Sequence, residues 1–384
     1  MKKIAIVAAK RSPIGRIPGE LSHVNETELL AIIMENTAKG FESYIDEAIL
    51  GSSFPIEKDN LCRKALLKAG LSPKIPAFTV SKTCASSDEA LSIACNKIAC
   101  QQAKAVLVCG SEKINNSSYA LHFLKQDVKR AMKNELKNFS EISDQILEND
   151  MVYINEMLAR KYAISRMESD DFTILNIGRA NRAYLNGNFA EEIVPISNNI
   201  GNCLFIDEWL SNIRQETDIN AAPPMFILDG CITKYNAAPV CDNAAAMILM
   251  DYEYAHELGL KPYGLIHATV STGVENDKTG TAMAKCVEKI LDDTGLPLAA
   301  IDLFEINDSF AVQALCTMKI AGLSCDKVNV NGGNLALGYP IGATGLRMKI
   351  SLLYEMKRRN VEYGLSVMCA GGNMANGIII KGIP

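Results

Sequence analysis

Short apolar segments rich in Ile, Val and Ala recur through both halves of the chain, with segments of helical spacing between them. Because a strand that reaches its parallel neighbour through a helix makes a right-handed crossover, this alternation predicts an α/β fold with a mostly parallel sheet. We predict strands at 3–8, 47–51, 77–80, 105–110, 265–270, 303–306 and 365–369, and either a strand or a buried helix–strand pair at 244–250. We predict helices at 26–37, from Ser86 onward, at 174–184, at 282–291, and from the end of the 331–345 turn through Met356.

The two halves also share a longer plan, in which a turn leads into a helix and then into a strand that ends at a cysteine. In the first half the turn holds Cys84 and the strand ends at Cys109. In the second half the turn spans 331–345 and the strand ends at Cys369. This recurrence predicts an internal duplication at half-chain scale. The stretch between the halves is richer in Lys, Asn, Glu and Asp, so we predict an inserted loop domain at 114–235, a first half at 1–113 with 236–254, and a second half at 255–384.

Composition excludes several classes of protein. Hydrophobic residues make up 48% of the chain and charged residues 22%, which is typical of globular proteins and not of disordered ones. The net charge is −5 and no long block of one sign occurs, so we expect no nucleic-acid partner. No stretch reaches the roughly 18–20 apolar residues that a membrane span requires, so we expect no membrane partner.

The 12 cysteines and four histidines are not arranged as metal ligands. No two cysteines stand as Cys-x-x-Cys and the histidines are scattered, so we expect no metal site built from neighbouring ligands. The apolar run at the start is ended by Lys10 and Arg11, too early for a secretion signal. Cysteines without such a signal are typical of a reducing compartment, and we predict a cytoplasmic protein.

Cys84 is the first candidate for chemistry. It lies between a strand and a helix whose predicted start is Ser86, with Glu89 at the spacing of a capping box. The positive end of a helix dipole favours the thiolate, which is the nucleophilic form of cysteine. Asp88 and Glu89 oppose this if they face the sulfur. The alternative is a small apolar residue of the core.

Three further segments are candidates. Cys369 ends a buried strand and is followed by Gly371 and Gly372, so it is either a proton shuttle at a ligand-binding strand end or a core residue. The 331–345 turn holds five glycines but matches neither the P-loop nor the dinucleotide fingerprint. Asn307 follows a strand, and is either a site residue or the N-cap of a helix.

Taken in order, these segments resemble the thiolase family, the enzymes that make or cleave a carbon–carbon bond between acyl-CoA units. The resemblance covers nearly the whole chain. The matching segments are 4–15, 164–166, 191–196, 328–333 and 369–372, together with the surroundings of Cys84 and Asn307.

The resemblance implies a fold and a set of site residues. The fold would be two similar βαβαβαββ halves in a five-layered αβαβα arrangement, with the loop domain over the CoA, in a homodimer or homotetramer. Cys84 would accept the acyl group, Cys369 would be the acid/base, and Asn307 would hold an oxyanion-hole water. The backbone N–H groups of Cys84 and Gly371 would form a second oxyanion hole. The implied substrate-binding residues are Met151, Ala238, Ser309 and Phe310, and no cofactor is implied beyond the CoA thioester substrate.

Departures from the family pattern are concentrated around this site. The histidine of the family's Gly-His-Pro is Tyr339 here, and tyrosine, with a pKa near 10, is a poor base at neutral pH. Ser87 replaces a glycine, Ala238 a serine, Asp308 a glutamate, Asp150 a histidine and Val152 a glycine, and Asn373 and Ala375 replace two glycines. We interpret these as changes in the pocket that spare the core. His122 is the one histidine considered as a substitute.

Three functions remain at this point. The first is an active acyl-CoA C-acyltransferase that works through acyl-Cys84, slowed or altered because Tyr339 is no general base. The second is an impaired homologue that binds acyl-CoA or assists a partner enzyme. The third is a condensing enzyme for another acyl carrier, which the retained Asn307 and Cys369 segments disfavour.

Overall fold

The computed structural model describes residues 2–53, 59–114, 151–197, 203–211, 216–225, 227–275, 278 and 280–383. Its strands are β1 (Ile4–Arg11), β2 (Glu47–Gly51), β3 (Ala77–Val80), β4 (Ala105–Glu112), β5 (Ile196–Ser197), β6 (Cys203–Leu204), β7 (Asn243–Asp251), β8 (Gly264–Gly273), β9 (Leu303–Ile306), β10 (Tyr363–Ala370) and β11 (Met374–Gly382). Its α-helices are α1 (Glu26–Ala38), α2 (Leu61–Lys68), α3 (Ser86–Ala99), α4 (Met151–Tyr162), α5 (Arg166–Leu185), α6 (Glu216–Asn220), α7 (Tyr252–Glu257), α8 (Ala282–Thr294), α9 (Ala311–Ala321), α10 (Gly333–Leu337) and α11 (Thr344–Arg359). Every strand and helix predicted above has a counterpart among these.

Nine strands form one sheet in the order β3-β2-β4-β7-β1-β8-β11-β10-β9. Only β2–β3, β2–β4 and β9–β10 pair in parallel, and the other neighbours are antiparallel. The prediction of a mostly parallel sheet was therefore wrong. β10 turns directly into β11 through Gly371, Gly372 and Asn373, without a crossover helix, and such a short connection forces an antiparallel pair.

The strand order confirms the internal duplication. Read outward from the junction of β1 with β8, the first half runs β1-β7-β4-β2-β3 and the second half runs β8-β11-β10-β9. β2 therefore corresponds to β9. The position of β3 is taken in the second half by Val328, which bridges in parallel to Phe304 of β9. The two halves meet where Ile4, Ala5 and Ile6 pair with Ile266, Leu265 and Gly264.

Three apolar clusters define five layers. Leu30 of α1 and Leu66 of α2 pack on one face of the first half of the sheet, and Leu91 of α3 and Ile350 of α11 fill the space between the two halves. Helices α8 and α9 cover the far face of the second half. This confirms the αβαβα arrangement. Within the described residues, no helix combines the length and apolar character needed to cross a membrane.

The central helices α3 and α11 are joined by buried polar contacts. Lys349 Nζ lies 2.5 Å from Asp88 Oδ1, and both side chains are fully buried. Ser87 Oγ accepts a hydrogen bond of 3.0 Å from the backbone N–H of Leu346, in the first turn of α11, where that N–H has no helical partner. Ser87 therefore joins two helices. This corrects the interpretation that all the departures are changes in the pocket.

Replacing Lys349 with methionine is expected to lower the free energy of unfolding by about 3–5 kcal/mol, because it leaves the Asp88 carboxylate buried without its partner. Urea denaturation measures the loss. The double variant Asp88→Leu, Lys349→Met should recover most of it. Lys357→Met is the matched control, since Lys357 pairs with Glu191 at the exposed surface, where such pairs contribute at most about 1 kcal/mol. Equal midpoints for Lys349→Met and the wild type would contradict this account.

Candidate active site

Cys84 lies in a tight turn between β3 and α3. The residue before it, Thr83, has a φ of 48°, in the left-handed region that non-glycine residues rarely adopt. Ser86 Oγ accepts from the Lys82 N–H at 2.9 Å and donates to the Thr83 carbonyl at 2.5 Å. The predicted capping box is therefore wrong. Ala85 is the N-cap of α3, and the hydroxyl of Ser86 holds the preceding turn instead.

Cys369 lies near the end of β10, buried and close to Cys84. Its sulfur accepts from Asn307 Nδ2 at 2.9 Å and is 3.9 Å from Gln313 Oε1. Burial raises the pKa of the Cys369 thiol to about 12, and the nearby Cys84 sulfur acts in the same direction. A thiol with this pKa is protonated at neutral pH, so it can donate a proton, and it can accept one only after it has lost its own.

Tyr339 joins the two cysteines. Its hydroxyl group hydrogen-bonds to Cys84 and to the side chain of Asn307, and the residue is only 8% exposed. Burial, with the neighbouring Cys84 and Cys369 sulfurs, raises the pKa of Tyr339 well above its usual range. Tyr339 is therefore a hydrogen-bond donor in this site and not a base.

The electrostatics around Cys84 disfavour its thiolate. Burial raises the pKa of the Cys84 thiol, the hydrogen bond from Tyr339 lowers it, and the charge of Glu112 raises it. The Glu112 carboxylate is held beside the turn by the N–H groups of Ser53 and Gly342, at 3.2 and 2.8 Å. The helix N-terminus alone therefore does not produce a reactive thiolate.

The two carboxylates that the sequence placed near Cys84 are engaged elsewhere. Asp88 pairs with Lys349 and Glu89 pairs with Lys82 at 2.6 Å. The negative charge that acts on the sulfur comes from Glu112, which lies 28 positions later in the sequence and at the end of another strand.

Asn307 is a residue of the site and not a helix cap. The N-cap of the following helix, α9, is Phe310. Asn307 is fully buried, and its Oδ1 accepts from Asn334 Nδ2 at 2.7 Å. The adjacent Asp308 accepts the backbone N–H groups of Asn334 and Leu335 at 2.6 and 3.3 Å. Asp308 thus fixes the position of α10, and burial raises the pKa of its carboxyl to about 6.

The N–H of Gly371, predicted as an oxyanion-hole donor, already has a partner. It donates to Thr83 Oγ1 at 2.8 Å. Thr83 immediately precedes Cys84, so the bond joins the two turns that carry the cysteines. A substrate oxygen that binds the Gly371 N–H must displace the hydroxyl group of Thr83.

Thr83→Val is expected to speed acylation of the enzyme by about 2–10-fold, because the Gly371 N–H is released from a hydrogen bond of ordinary strength. Valine keeps the shape of threonine, so the turn is retained. Rapid-quench measurement of acyl-enzyme formation tests this. Thr37→Val is the control, since the Thr37 hydroxyl bonds within α1, away from the site. A slower Thr83→Val enzyme would show that the hydroxyl group assists the reaction.

The predicted substrate-binding residues lie around the same turns. Ala238 donates its N–H to the Ser309 carbonyl at 2.8 Å and packs, as Cys84 does, against the apolar cluster that contains Tyr339. Ser309 Oγ donates to Gln313 Oε1 at 2.8 Å. Phe310 belongs to an apolar cluster with residues of α4. Met151 is the first residue of α4 and its side chain is 38% exposed.

The described histidines lie away from the sulfurs. His267 contacts the ring of Tyr363, at the opposite end of β10 from Cys369, and about 20 Å of strand separates the two ends. His23 is in a short 3-10 helix and His256 is in α7. His122 and Asp150 lie outside the described residues. Among the residues that the structure describes, no group of three or more His, Cys, Asp or Glu could hold a metal ion.

Sequence reasoning missed five residues of this site: Thr83, Glu112, Gln313, Asn334 and Arg347. Asn334 stands inside the glycine-rich turn, and Gln313 follows Ser309 at the i, i+4 spacing of a helix, so both carried a signal. Glu112 and Arg347 are charged residues that resemble surface positions until the packing of the central layer is known.

Comparison with known proteins identifies the family of this chain. The family model "Thiolase, N-terminal domain" matches residues 4–253, and "Thiolase, C-terminal domain" matches residues 260–382. The chain is 32% identical to a 3-ketoacyl-CoA thiolase of Bacillus subtilis, over 97% of this chain and 98% of the relative. It is 34% identical to an acetyl-CoA acetyltransferase of Chromobacterium violaceum, over 99% of each.

Solved structures give the same result. The crystal structure of human mitochondrial 3-ketoacyl-CoA thiolase superposes with a TM-score of 0.89 at 27% identity, covering 100% of this chain and 99% of that one. The fold of this chain is thus shared with these proteins. The chain belongs to the thiolase family.

Proposed function

We propose that the protein is an acyl-CoA C-acyltransferase that forms or cleaves a carbon–carbon bond through an acyl-Cys84 intermediate. The observation that carries this proposal is the single cluster formed by Cys84, Cys369, Asn307 and Tyr339. The CoA thioester is the substrate, and the chemistry requires no other cofactor.

In the first half-reaction the Cys84 sulfur attacks the thioester carbonyl carbon, and the carbon–sulfur bond to CoA breaks. The thiol proton of Cys84 leaves with the CoA sulfur. The negative charge that develops on the carbonyl oxygen is stabilised by the N–H groups of Cys84 and Gly371, once Thr83 has released the latter. The hydrogen bond from Tyr339 stabilises the Cys84 sulfur as it loses its proton.

In the second half-reaction the Cys369 thiolate, formed by loss of the thiol proton to solvent, accepts a proton from the α-carbon of a second acetyl-CoA. That carbon attacks the carbonyl carbon of acyl-Cys84, the carbon–sulfur bond to Cys84 breaks, and Cys369 passes its proton to the departing Cys84 sulfur. Thiolysis is the reverse of these steps. Asn307 Nδ2, 2.9 Å from Cys369 Sγ, stabilises the Cys369 thiolate before it takes the α-proton, since that charge would otherwise be unpaired in a buried site. Water held by Asn307 would supply the other oxyanion hole.

Tyr339 occupies the position of the family's Gly-His-Pro histidine. Because it donates a hydrogen bond but takes no proton, turnover is slower than with a histidine there, by a factor within the 10²–10⁴ that a general base typically contributes. The region around Met151, Ala238, Ser309 and Phe310 would bind the acyl-CoA substrate.

The remaining expectations form part of the same proposal. The chain divides at 1–113 with 236–254, 114–235 and 255–384, with the middle segment as a loop domain over the CoA. It assembles as a homodimer or homotetramer, resides in the cytoplasm, and functions in lipid metabolism. Size-exclusion chromatography with light scattering tests the assembly.

Thiolysis of acetoacetyl-CoA by CoA, followed by the loss of its enolate absorbance, tests the function. We expect slow, saturable turnover in the wild type and none in Cys84→Ala. The matched control is Cys95→Ala, which removes a buried thiol from α3 outside the site. Reversible CoA binding without turnover would favour the alternative, an impaired homologue that binds acyl-CoA or assists a partner.

A further inference from the structure

Arg347 is almost fully buried in α11, 1% exposed, beneath the site described above. Its Nη2 donates a hydrogen bond to Asn334 Oδ1. The carboxyl groups of Glu305 and Asp308 lie near enough to influence its charge. A guanidinium group has donors and no acceptor, so the atom of Asn334 that faces it must be the oxygen.

This one-way contact fixes the orientation of two amides in succession. With Oδ1 turned to Arg347, Asn334 presents Nδ2 to Asn307, and the Nδ2–Oδ1 distance is 2.7 Å. Asn307 must then present Oδ1 to Asn334 and turn its own Nδ2 the other way. Asp308 holds the backbone of Asn334 at 2.6 Å, so Asn334 cannot move away.

The donors at the end of this series all point at the two sulfurs. Asn307 Nδ2 donates to Cys369 Sγ at 2.9 Å, and Asn307 also hydrogen-bonds to the hydroxyl group of Tyr339. With its oxygen accepting from Asn307, Tyr339 directs its O–H to Cys84, in the sense that favours the Cys84 thiolate. Each group in the series passes on the orientation that Arg347 imposes.

We propose that Arg347 and Asn334 are positioning residues that orient the Asn307 amide, so that a buried series of hydrogen-bond donors ends on both Cys369 and Cys84. The effect of this series on turnover rests on the proposed function. Its effect on the reactivity of the two thiols in the free protein does not. Because position 339 is not a histidine, the hydrogen-bond donors of this series are the groups that stabilise both thiolates.

The reverse orientation of Asn307 explains why positioning matters. An amide is nearly symmetric in shape, so rotation by half a turn would place Oδ1 against Cys369 and Tyr339. An oxygen acceptor facing a thiolate is repulsive, and both sulfurs would lose their donors. Asn334 prevents this rotation because it offers only a donor to Asn307.

Two substitutions of Asn334 test the proposal. In Asn334→Asp the side chain still accepts from Arg347 but no longer donates to Asn307. In Asn334→Leu the side chain is neutral and of similar size, and it neither accepts from Arg347 nor donates to Asn307. An effect shared by the two variants is therefore not due to the charge that aspartate adds. The readout is the rate of alkylation of Cys84 and Cys369 by iodoacetamide at pH 8, resolved by peptide mass mapping.

We expect both variants to slow alkylation of each cysteine about tenfold or more, the effect of removing one hydrogen bond to a charged group. Turnover should fall by about 10²–10³, as when one oxyanion donor is removed. Asn334→Leu should have no further effect in an Asn307→Ala background, because it acts through that residue. Asn243→Leu, which removes a buried amide from β7, should leave the alkylation rates unchanged.

Wild-type alkylation rates in both Asn334 variants would overturn the proposal. So would losses that add to that of Asn307→Ala, since these would show a general structural role. If the wild type catalyses no thiolysis while the alkylation results are as expected, the proposed function fails and the positioning role stands.

Discussion

Tyr339→His raises the rate of acetoacetyl-CoA thiolysis by about 10²–10⁴, the contribution that a well-placed general base makes. In the wild type, burial keeps the pKa of both Tyr339 and Cys84 above their usual values, so the nucleophile is protonated and its neighbour takes no proton. A histidine at this position can accept the Cys84 proton and still donate to the oxyanion.

The pH profile distinguishes this gain from a simple change in packing. The raised pKa of Cys84 means that wild-type acylation rises about tenfold per pH unit until that pKa is reached. Tyr339→His should lose this slope near neutral pH, because histidine removes the proton during the attack.

Tyr339→Phe is the matched control, since it keeps the ring and removes the hydroxyl group. It should acylate about tenfold more slowly than the wild type, because Cys84 loses the side-chain hydrogen bond that Tyr339 donates. If the histidine variant is no faster than the wild type, the site has been rebuilt for another reaction.

Cys369→Ala separates the two half-reactions. It should lower carbon–carbon bond formation by about 10²–10⁴, because it removes the group proposed to take the α-proton. Acylation of Cys84 by acetyl-CoA should stay within a few-fold of the wild type, or become faster, since the Cys84 and Cys369 sulfurs each disfavour charge on the other.

Exchange of the acetyl-CoA methyl protons in deuterated water, followed by proton NMR, measures the step assigned to Cys369. Exchange should be lost in Cys369→Ala and retained in Cys109→Ala, which removes a buried thiol from β4. Continued exchange in Cys369→Ala would show that another base abstracts the proton.

The strands and helices could be predicted from the sequence because each carries its own periodicity. β4 and β7 are continuous apolar runs, and α8 shows a buried face at helical spacing. The direction of strand pairing could not be predicted in this way, since a run of apolar residues is compatible with either direction. For β10 and β11, the short turn between them sets the antiparallel direction.

The candidate site likewise contains residues that the sequence could predict and residues that it could not. Cys84, Cys369 and Asn307 stand beside strand ends or turns, where local pattern marks them. Arg347 and Glu112 act across the central layer, from α11 and from β4, and their charge is buried only because those elements pack there. Ser87 shows the converse, since a position that looked like a change in the pocket joins two helices.

Incubation with acetyl-CoA, followed by intact mass and peptide mapping, tests the central claim most directly. We predict that the wild type gains the mass of one acetyl group, that the modified peptide contains Cys84, and that added CoA removes the label. Cys84→Ala should gain nothing, while Cys95→Ala should match the wild type. An unmodified wild-type protein, or a label on another residue, would contradict acyl transfer through Cys84.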